Sequence, residues 1–285
     1  MAASELMKGK KGLIMGVAND HSIAWGIAKA LSDNGAELAF TYQGDSLLKR
    51  VKPLAESVGT SDSLILPCDV TQESEIDSVF GSLEKEWGEI DFVVHAIAFS
   101  DKNELDGLYL NTTRDNFART MDISVYSFTA VAQRAVPLMK DGGSLITLTY
   151  YGAEQVMPHY NVMGVAKAAL EASVKYLAAD LGKDNIRVNA ISAGPIKTLA
   201  ASGIGDFRFI LKWNEYNAPL KRNVTIGDVG NAGLFLLSDL GSGVTGETLH
   251  VDSGYHTVGM LAVDSVSQTA ELLESMKPKS KDEAA

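Results

Sequence analysis

The sequence predicts an α/β fold built around a parallel sheet, and three observations indicate it. Short apolar runs alternate with longer amphipathic stretches from residue 11 to about residue 252. The 285 residues, with 46% hydrophobic and 21% charged content, suffice for one sizeable core. The 26 glycines against 7 prolines are typical of many tight strand-to-helix turns. Alternation of this kind indicates right-handed βαβ units with helices on both faces of the sheet.

Seven apolar runs are the predicted strands. They are Lys11–Gly16, Ala36–Tyr42, Leu64–Cys68, Asp91–Ala96, Ser144–Thr149, Ile186–Ser192 and Thr248–Val251. The predicted helices between them are Ile23–Asn34, Glu73–Trp87, Phe117–Met139, Tyr160–Gly182 and Ile226–Leu237. Asn34-Gly35 is a helix stop, since glycine adopts the left-handed cap conformation freely, and Pro53 predicts a kink or an early helix end. We therefore predict a single Rossmann-type, doubly wound domain over 1–262 and a weakly structured tail over 263–285.

Composition excludes several classes of protein. No apolar run approaches the ~18 residues that cross a membrane, and Met1–Lys10 lacks the apolar core of a secretory signal. The single cysteine, Cys68, permits no intrachain disulfide, which suits a reducing cytoplasm. A net charge of −11 argues against nucleic-acid binding, and the five histidines show no metal-ligand spacing. We expect a cytoplasmic protein with no metal, no nucleic acid and no membrane association.

The first strand leads into a glycine-containing turn and a helix, as in a dinucleotide site. Gly16 and Gly26 can fill the glycine positions, and Ser22 can cap the helix or bind phosphate. The spacing departs from G-x-G-x-x-G, so a plain glycine turn before a capped helix is an equal alternative.

The ends of the second and third strands carry polar residues where such folds bind adenosine. Gln43 can bond a ribose hydroxyl, and no Lys or Arg follows until Lys49, which favours NADH over NADPH. Asp69 could accept from the adenine amino group while Val70 packs on the ring. Alternatively, Gln43 is only a polar residue that ends a strand, and Asp69 caps the following helix.

The stretch after the fifth strand carries a candidate catalytic pair, Tyr160 and Lys167. Seven residues place them about 20° apart around a helix, two turns from each other. A reductase needs a hydroxyl donor, and a cation that binds the cofactor ribose and lowers the pKa of that donor. The commoner spacing is four, and three extra residues displace the tyrosine by roughly 4.5 Å. That displacement suits an α,β-unsaturated thioester, in which negative charge develops on an oxygen two atoms beyond the carbon that accepts the hydride. The alternative is that both residues are ordinary surface positions on a helix.

Several longer segments resemble one family closely. They are Ser22–Ala24, Phe40–Gln43, Tyr160–Gly164 with Lys167, Val188–Ile196, and Thr198–Ile204 followed by Asp206–Arg208. Together, from about Lys8 to Met260, they resemble the bacterial NADH-dependent enoyl-acyl carrier protein reductases of the short-chain dehydrogenase/reductase superfamily. The resemblance implies hydride transfer from NADH to Cβ of a trans-2-enoyl thioester bound to acyl carrier protein, in a homotetramer. A carbonyl reductase and a non-catalytic NADH-binding protein are the alternatives.

The resemblance also implies roles for individual residues. Tyr160 would donate to the enolate and Lys167 would bind the nicotinamide ribose. Tyr150 is the third implied catalytic residue, with an auxiliary role lining the substrate pocket. The implied cofactor-binding residues are Gly16, Ser22, Ile23, Gln43, Asp69, Val70, Ile97, Lys167, Ile196, Lys197, Thr198, Leu199 and Ala200. The implied substrate contacts are Ser100, Tyr150, Tyr160, Met163, Ala200 and Phe207, with a closing flap at about 198–217. Arg208, Lys212, Lys221 and Arg222 are candidates for docking acyl carrier protein, with solvated surface charge as the alternative.

Overall fold

The computed structural model describes residues 5–199, 201, 207–260, 270 and 274. Its strands are β1 (Lys11–Met15), β2 (Glu37–Tyr42), β3 (Ile65–Pro67), β4 (Phe92–His95), β5 (Gly143–Thr149), β6 (Ile186–Ala193) and β7 (Thr248–Val251). Its α-helices within that part are α1 (Ile23–Asp33), α2 (Gly44–Ser57), α3 (Glu73–Trp87), α4 (Lys102–Leu105), α5 (Arg114–Met121), α6 (Ser127–Ala135), α7 (Asn161–Leu181), α8 (Phe207–Asn217) and α9 (Ile226–Leu237).

The strands form one parallel sheet in the order β3-β2-β1-β4-β5-β6-β7. The prediction of a doubly wound, seven-stranded domain is confirmed. The order reverses between β1 and β4, so the connections after these strands leave to opposite faces and open a crevice at their carboxyl ends. Successive residues of the buried strands point to opposite faces of the sheet and pack into two hydrophobic cores. Leu13 packs into one core and Ile14 into the other. The predicted tail, 263–285, lies outside the described residues apart from Ala270 and Glu274.

The structure corrects two helix predictions. Pro53 does not end its helix early, because α2 continues to Ser57. The predicted continuous helix Phe117–Met139 is instead divided into α5, a π-helical turn at Asp122–Tyr126, and α6. Serine hydroxyls in the π-helical region explain the division, because Ser127 Oγ donates to the Ile123 carbonyl and also contacts a buried histidine on β4.

Helices α1 and α9 meet at glycines. A Cβ on Gly26 would lie 2.2 Å from the Ile226 carbonyl oxygen, and one on Gly230 would lie 2.4 Å from the Gly26 carbonyl oxygen. Only glycine permits so close an approach of two backbones. Gly26 therefore serves helix packing, and its predicted glycine role near the cofactor stays a prediction.

Within the described ranges, no helix is both long enough and apolar enough to span a bilayer.

Candidate active site

One cleft, of about 380 Å³, opens where β1, β4, β5 and β6 end. Its wall is largely apolar, with residues from the loops after all four strands and from α7 and α8. It brings together most of the predicted site residues: Gly16, Ser22, Ile23, Ile97, Ser100, Tyr150, Tyr160, Met163, Lys167, Ile196, Thr198, Leu199 and Phe207. Gln43, Asp69, Val70 and Lys197 lie outside its lining.

The turn after β1 is built for close backbone approach. Gly16 has φ +99°, and a Cβ there would lie 2.1 Å from the Ala96 carbonyl oxygen. Ser22 occupies the N-cap position of α1, but its hydroxyl accepts from the backbone N–H groups of Ala18 and Asn19, at 3.0 and 3.1 Å. The predicted side-chain cap is therefore wrong, and Ser22 fixes the loop instead. No described side chain caps the N–H groups of α1, so that helix end can receive an anion.

Gln43 and Asp69 meet at the ends of β2 and β3. Gln43 Nε2 donates to Asp69 Oδ2 at 2.8 Å, and Thr71 donates to Oδ1 through its backbone and its hydroxyl. Burial acts to raise the pKa of Asp69, but these hydrogen bonds outweigh it, so the pKa is lowered. The helix-cap alternative is wrong, because Gln72 is the N-cap of α3. Val70 packs against the core beneath the same edge of the sheet, while Lys197 is exposed.

Tyr160 is a buried phenol held between the ring of Tyr150 and a glycine. It is 8% exposed, and its ring meets that of Tyr150 edge to face at 5.1 Å between centroids. Gly152 lies under the ring, since a Cβ there would be 2.4 Å from Tyr160 Cδ1. Burial raises the pKa of Tyr160 well above its ordinary value, so the phenol keeps its proton and can donate.

Lys167 is the buried cation of the cleft. It is 6% exposed, and its Nζ donates to the Leu148 carbonyl oxygen at 2.7 Å. Burial lowers the pKa of Lys167 to about 8, and the nearby Glu171 carboxylate opposes this. We expected this ammonium to hold down the pKa of Tyr160. That expectation is wrong for the cofactor-free cleft, since burial dominates and Tyr150 and Glu171 raise the phenol pKa further.

The helical-phase argument for the pair is also corrected. Helix α7 begins at Asn161, whose φ is +40°, so Tyr160 stands outside the regular helix. A separation of 20° around a helix axis therefore does not describe the two side chains. They nevertheless line the same cleft, because the loop before α7 turns Tyr160 toward it.

A polar stripe on the α5 side, missed in the sequence, holds the loop after β4. Ser124 Oγ bonds both the N–H and the carbonyl oxygen of Phe99, each at 3.0 Å. Ser100 lines the cleft, but its hydroxyl accepts from Asn116 Nδ2 at 3.2 Å and from Thr120 Oγ1 at 3.0 Å. Asn116, Thr120 and Ser124 recur every four residues, and that spacing was the available signal.

The predicted flap is described only in part. Residues 207–217 form α8, whose Ile210 is buried and reaches the cleft. Thr198 Oγ1 accepts from the Ala201 N–H at 3.1 Å. Ala200 and residues 202–206 lie outside the described residues.

Among the four candidate docking cations, Arg222 and Lys221 bond to groups within the protein. Arg222 forms a two-point ion pair with Asp228, at 2.9 and 3.1 Å, beside the capping box of α9. Lys221 Nζ donates to the Tyr216 carbonyl oxygen at 2.8 Å. Arg208 and Lys212 lie on α8, next to the cleft. No cluster of metal-ligating side chains occurs among the residues that the structure describes.

The chain is similar to known proteins of one family. The profile of the family described as Enoyl-(Acyl carrier protein) reductase matches residues 16–256. The Rhizobium meliloti protein named enoyl-[acyl-carrier-protein] reductase [NADH] 1 is 74% identical over 263 residues, covering 92% of this chain and 96% of that protein.

Two solved structures have the same fold. The Anaplasma phagocytophilum reductase in complex with NAD has a TM-score of 0.88 and 64% identity, covering 92% of this chain and all of that one. The Bacillus cereus enoyl-acyl carrier protein reductase with NADP⁺ and indole naphthyridinone has a TM-score of 0.88 and 54% identity, covering 90% of this chain and all of that one. With a family profile across most of the chain and relatives this similar, the chain belongs to the enoyl-(acyl carrier protein) reductase family.

Proposed function

We propose that this protein is an NADH-dependent enoyl-acyl carrier protein reductase, which reduces a trans-2-enoyl thioester in the last reductive step of fatty acid elongation. One observation carries the proposal beyond family membership. A neutral buried phenol, Tyr160, and a buried ammonium, Lys167, line a single largely apolar cleft. Such a cleft admits an acyl chain, excludes water and presents a buried phenol as a hydroxyl donor.

The residues at the β1 end fit a dinucleotide. The approach of Gly16 to Ala96 leaves no room for a side chain, and the α1 N-terminus offers backbone N–H groups to a pyrophosphate. Gln43 and Asp69 stand where the adenosine would lie. Lys167 would bind the nicotinamide ribose, Ile196 would pair its backbone with the carboxamide, and the Thr198 hydroxyl would donate to a phosphate.

When bound, NADH supplies the hydride that is added to Cβ of the enoyl thioester. Tyr160 then donates its phenolic hydrogen bond to the thioester oxygen, where negative charge develops. The raised pKa of Tyr160 keeps that proton in place, so the proton that is added at Cα to complete the reduction comes from another donor. Tyr150, Met163 and Phe207 line the cleft and would form an apolar wall around the acyl group. By excluding water, this wall would strengthen the phenol hydrogen bond.

The direct test is NADH oxidation with crotonyl coenzyme A. We expect wild type to be active and Tyr160→Phe to lose most of kcat. In Lys167→Ala, both cofactor affinity and kcat should fall, because the ammonium is gone. Lys175→Ala is the matched control, since Lys175 is exposed two turns further along α7. A Lys167→Ala variant as active as wild type would contradict the assigned role.

The alternatives have their own signatures in the same assay. A carbonyl reductase would oxidise NADH with a ketone but not with crotonyl coenzyme A. A non-catalytic binding protein would bind NADH, turn over neither substrate and behave alike with Tyr160 or Phe at position 160.

We propose that the natural substrate is bound to acyl carrier protein. We also propose that the enzyme is a homotetramer and acts in the cytoplasm. Exposed apolar side chains on the adjacent α5, π-turn and α7 support self-association: Phe117 is 38%, Tyr126 45% and Tyr176 76% exposed. Light scattering on wild type and Tyr126→Asp tests the proposed self-association. Wild type should have the mass of a tetramer, and the substitution should lower the measured mass.

A further inference from the structure

The two residues that flank Tyr160 both have left-handed backbone conformations. His159 has φ +58° and Asn161 has φ +40°, and neither is a glycine. Conformations of this kind cost free energy in ordinary residues and persist only where surrounding contacts hold them. The contacts that hold these two therefore also determine where the intervening phenol points.

Both flanking side chains reach the same short segment, Glu104–Gly107, here called the 104–107 brace. Asn161 Nδ2 donates to the Glu104 carbonyl oxygen at 3.1 Å and to the Gly107 carbonyl oxygen at 3.3 Å. His159 Nδ1 lies 3.3 Å from the Asp106 carboxylate. The amide of Asn161 thus spans the brace from one end to the other.

The brace is itself fastened to α5. The Glu104 carboxylate accepts from the Thr113 N–H at 2.9 Å, from the Thr113 hydroxyl at 2.7 Å and from Asn116 Nδ2 at 3.1 Å. These bonds lower the pKa of Glu104, which keeps its charge and the attachment. Leu105, inside the brace, is buried and lines the cleft. A continuous set of bonds therefore runs from α5 through the brace to both sides of Tyr160.

We propose that Asn161 is a positioning residue for catalysis: by binding the 104–107 brace it holds the left-handed turn that aims the Tyr160 hydroxyl into the cleft. The proposal rests on the proposed function, since it acts through the Tyr160 hydroxyl. Asn161 itself touches neither substrate nor cofactor in this role. A displacement of about 1 Å in such a donor can reduce a rate on the order of a hundredfold.

A double-mutant cycle tests the proposal in the full-length enzyme with NADH and crotonyl coenzyme A. Asn161→Ala should lower kcat on the order of ten- to a hundredfold while KM for NADH changes little. In a Tyr160→Phe background the same substitution should have almost no further effect, because the group it positions is already gone. Equal fold-losses in both backgrounds would overturn the proposal.

Two further variants separate the amide from the backbone. Asn161→Asp keeps the size and the tolerance for positive φ but cannot donate to the two carbonyls, so its kcat should fall as in Asn161→Ala. Asn185→Ala is the matched control: Asn185 has φ +58° and lies before β6, outside the cleft lining. It should lower thermal stability without lowering kcat. An Asn161→Asp enzyme with wild-type kcat would contradict the positioning role.

A readout independent of turnover distinguishes this proposal from the proposed function. With 3-fluorotyrosine incorporated, the ¹⁹F signal absent from Tyr160→Phe identifies Tyr160. That signal should move or broaden in Asn161→Ala and stay in place in Asn185→Ala. If wild type fails to reduce crotonyl coenzyme A, the proposed function fails; if the Tyr160 signal is unchanged in Asn161→Ala, the positioning role fails.

Discussion

The buried ammonium of Lys167 donates a 2.7 Å hydrogen bond to the carbonyl oxygen of Leu148. This bond ties α7 to the end of β5 and holds the cation at the cleft. Burial lowers the pKa of Lys167 to about 8, near physiological pH, so the charge of the cleft depends on pH.

NADH affinity should therefore depend on pH above neutrality. The ammonium form, which binds the ribose, predominates in the free enzyme below pH 8 and is lost as the pH rises through about 8. Affinity should be level from pH 6.5 to 7.5 and then weaken by up to about tenfold per pH unit. NADH fluorescence titrations from pH 6.5 to 9.5 measure this. Lys167→Met should bind weakly and without this transition, and a wild-type affinity that is level throughout would refute the prediction.

The same shift predicts how stability changes with pH. Between about pH 8 and the ordinary lysine pKa of 10.5, the unfolded chain binds more protons at this position than the folded protein. The Lys167 contribution to the free energy of unfolding therefore rises with pH across that window. Urea unfolding of the cofactor-free protein, compared between wild type and Lys167→Met, isolates it. The free energy of unfolding of wild type should increase relative to that of Lys167→Met as the pH rises. A difference that stays constant with pH would count against the lowered pKa.

Gly152→Ala should reduce catalysis by moving Tyr160. The added Cβ would lie 2.4 Å from Tyr160 Cδ1, so the ring or the turn after β5 must shift. We expect kcat with crotonyl coenzyme A to fall at least about tenfold. Gly81→Ala is the control, because a Cβ there meets nothing within 4 Å on an ordinary helix position. It should keep wild-type kcat and gain about 0.5–1 kcal/mol of stability.

Gly26→Ala should destabilise the whole domain. Its Cβ would lie 2.2 Å from the Ile226 carbonyl oxygen, forcing α1 away from α9. The cost should be about 1–3 kcal/mol in the free energy of unfolding. Weaker NADH binding should accompany it, because α1 begins at the cofactor turn. Gly227→Ala, on the partner helix α9 with its nearest contact at 3.6 Å, should show neither effect in urea unfolding and NADH titration.

Cofactor preference should respond to position 43. Gln43→Arg places a cation where a 2′-phosphate would lie, so the ratio of kcat/KM for NADPH to that for NADH should rise about tenfold. Gln72→Arg adds the same charge at the start of α3 and should leave the ratio unchanged. A ratio that is the same in wild type and Gln43→Arg would remove Gln43 from cofactor discrimination.

Periodicity and turn chemistry were sufficient for most of the fold. The bounds of α3, α9 and β7 agree with the prediction, and the Asn34-Gly35 stop is confirmed by a Gly35 φ of +96°. These elements are determined locally, by apolar spacing and by glycine. The break within Phe117–Met139 escaped prediction because the hydroxyl bonds of Ser124 and Ser127 join residues that are distant in sequence.

For the site, the sequence by itself determined which chemical groups are present: a phenol and an amine seven residues apart, glycines after the first strand, and the motifs of one reductase family. Only the tertiary structure decided how those groups behave. It placed Tyr160 before α7 instead of on it, engaged the Ser22 and Ser100 hydroxyls in loop contacts, and buried the ammonium of Lys167. The physical reason is that burial, hydrogen-bond partners and backbone strain arise from segments brought together by the sheet, so pKa and orientation cannot be obtained from spacing along the chain.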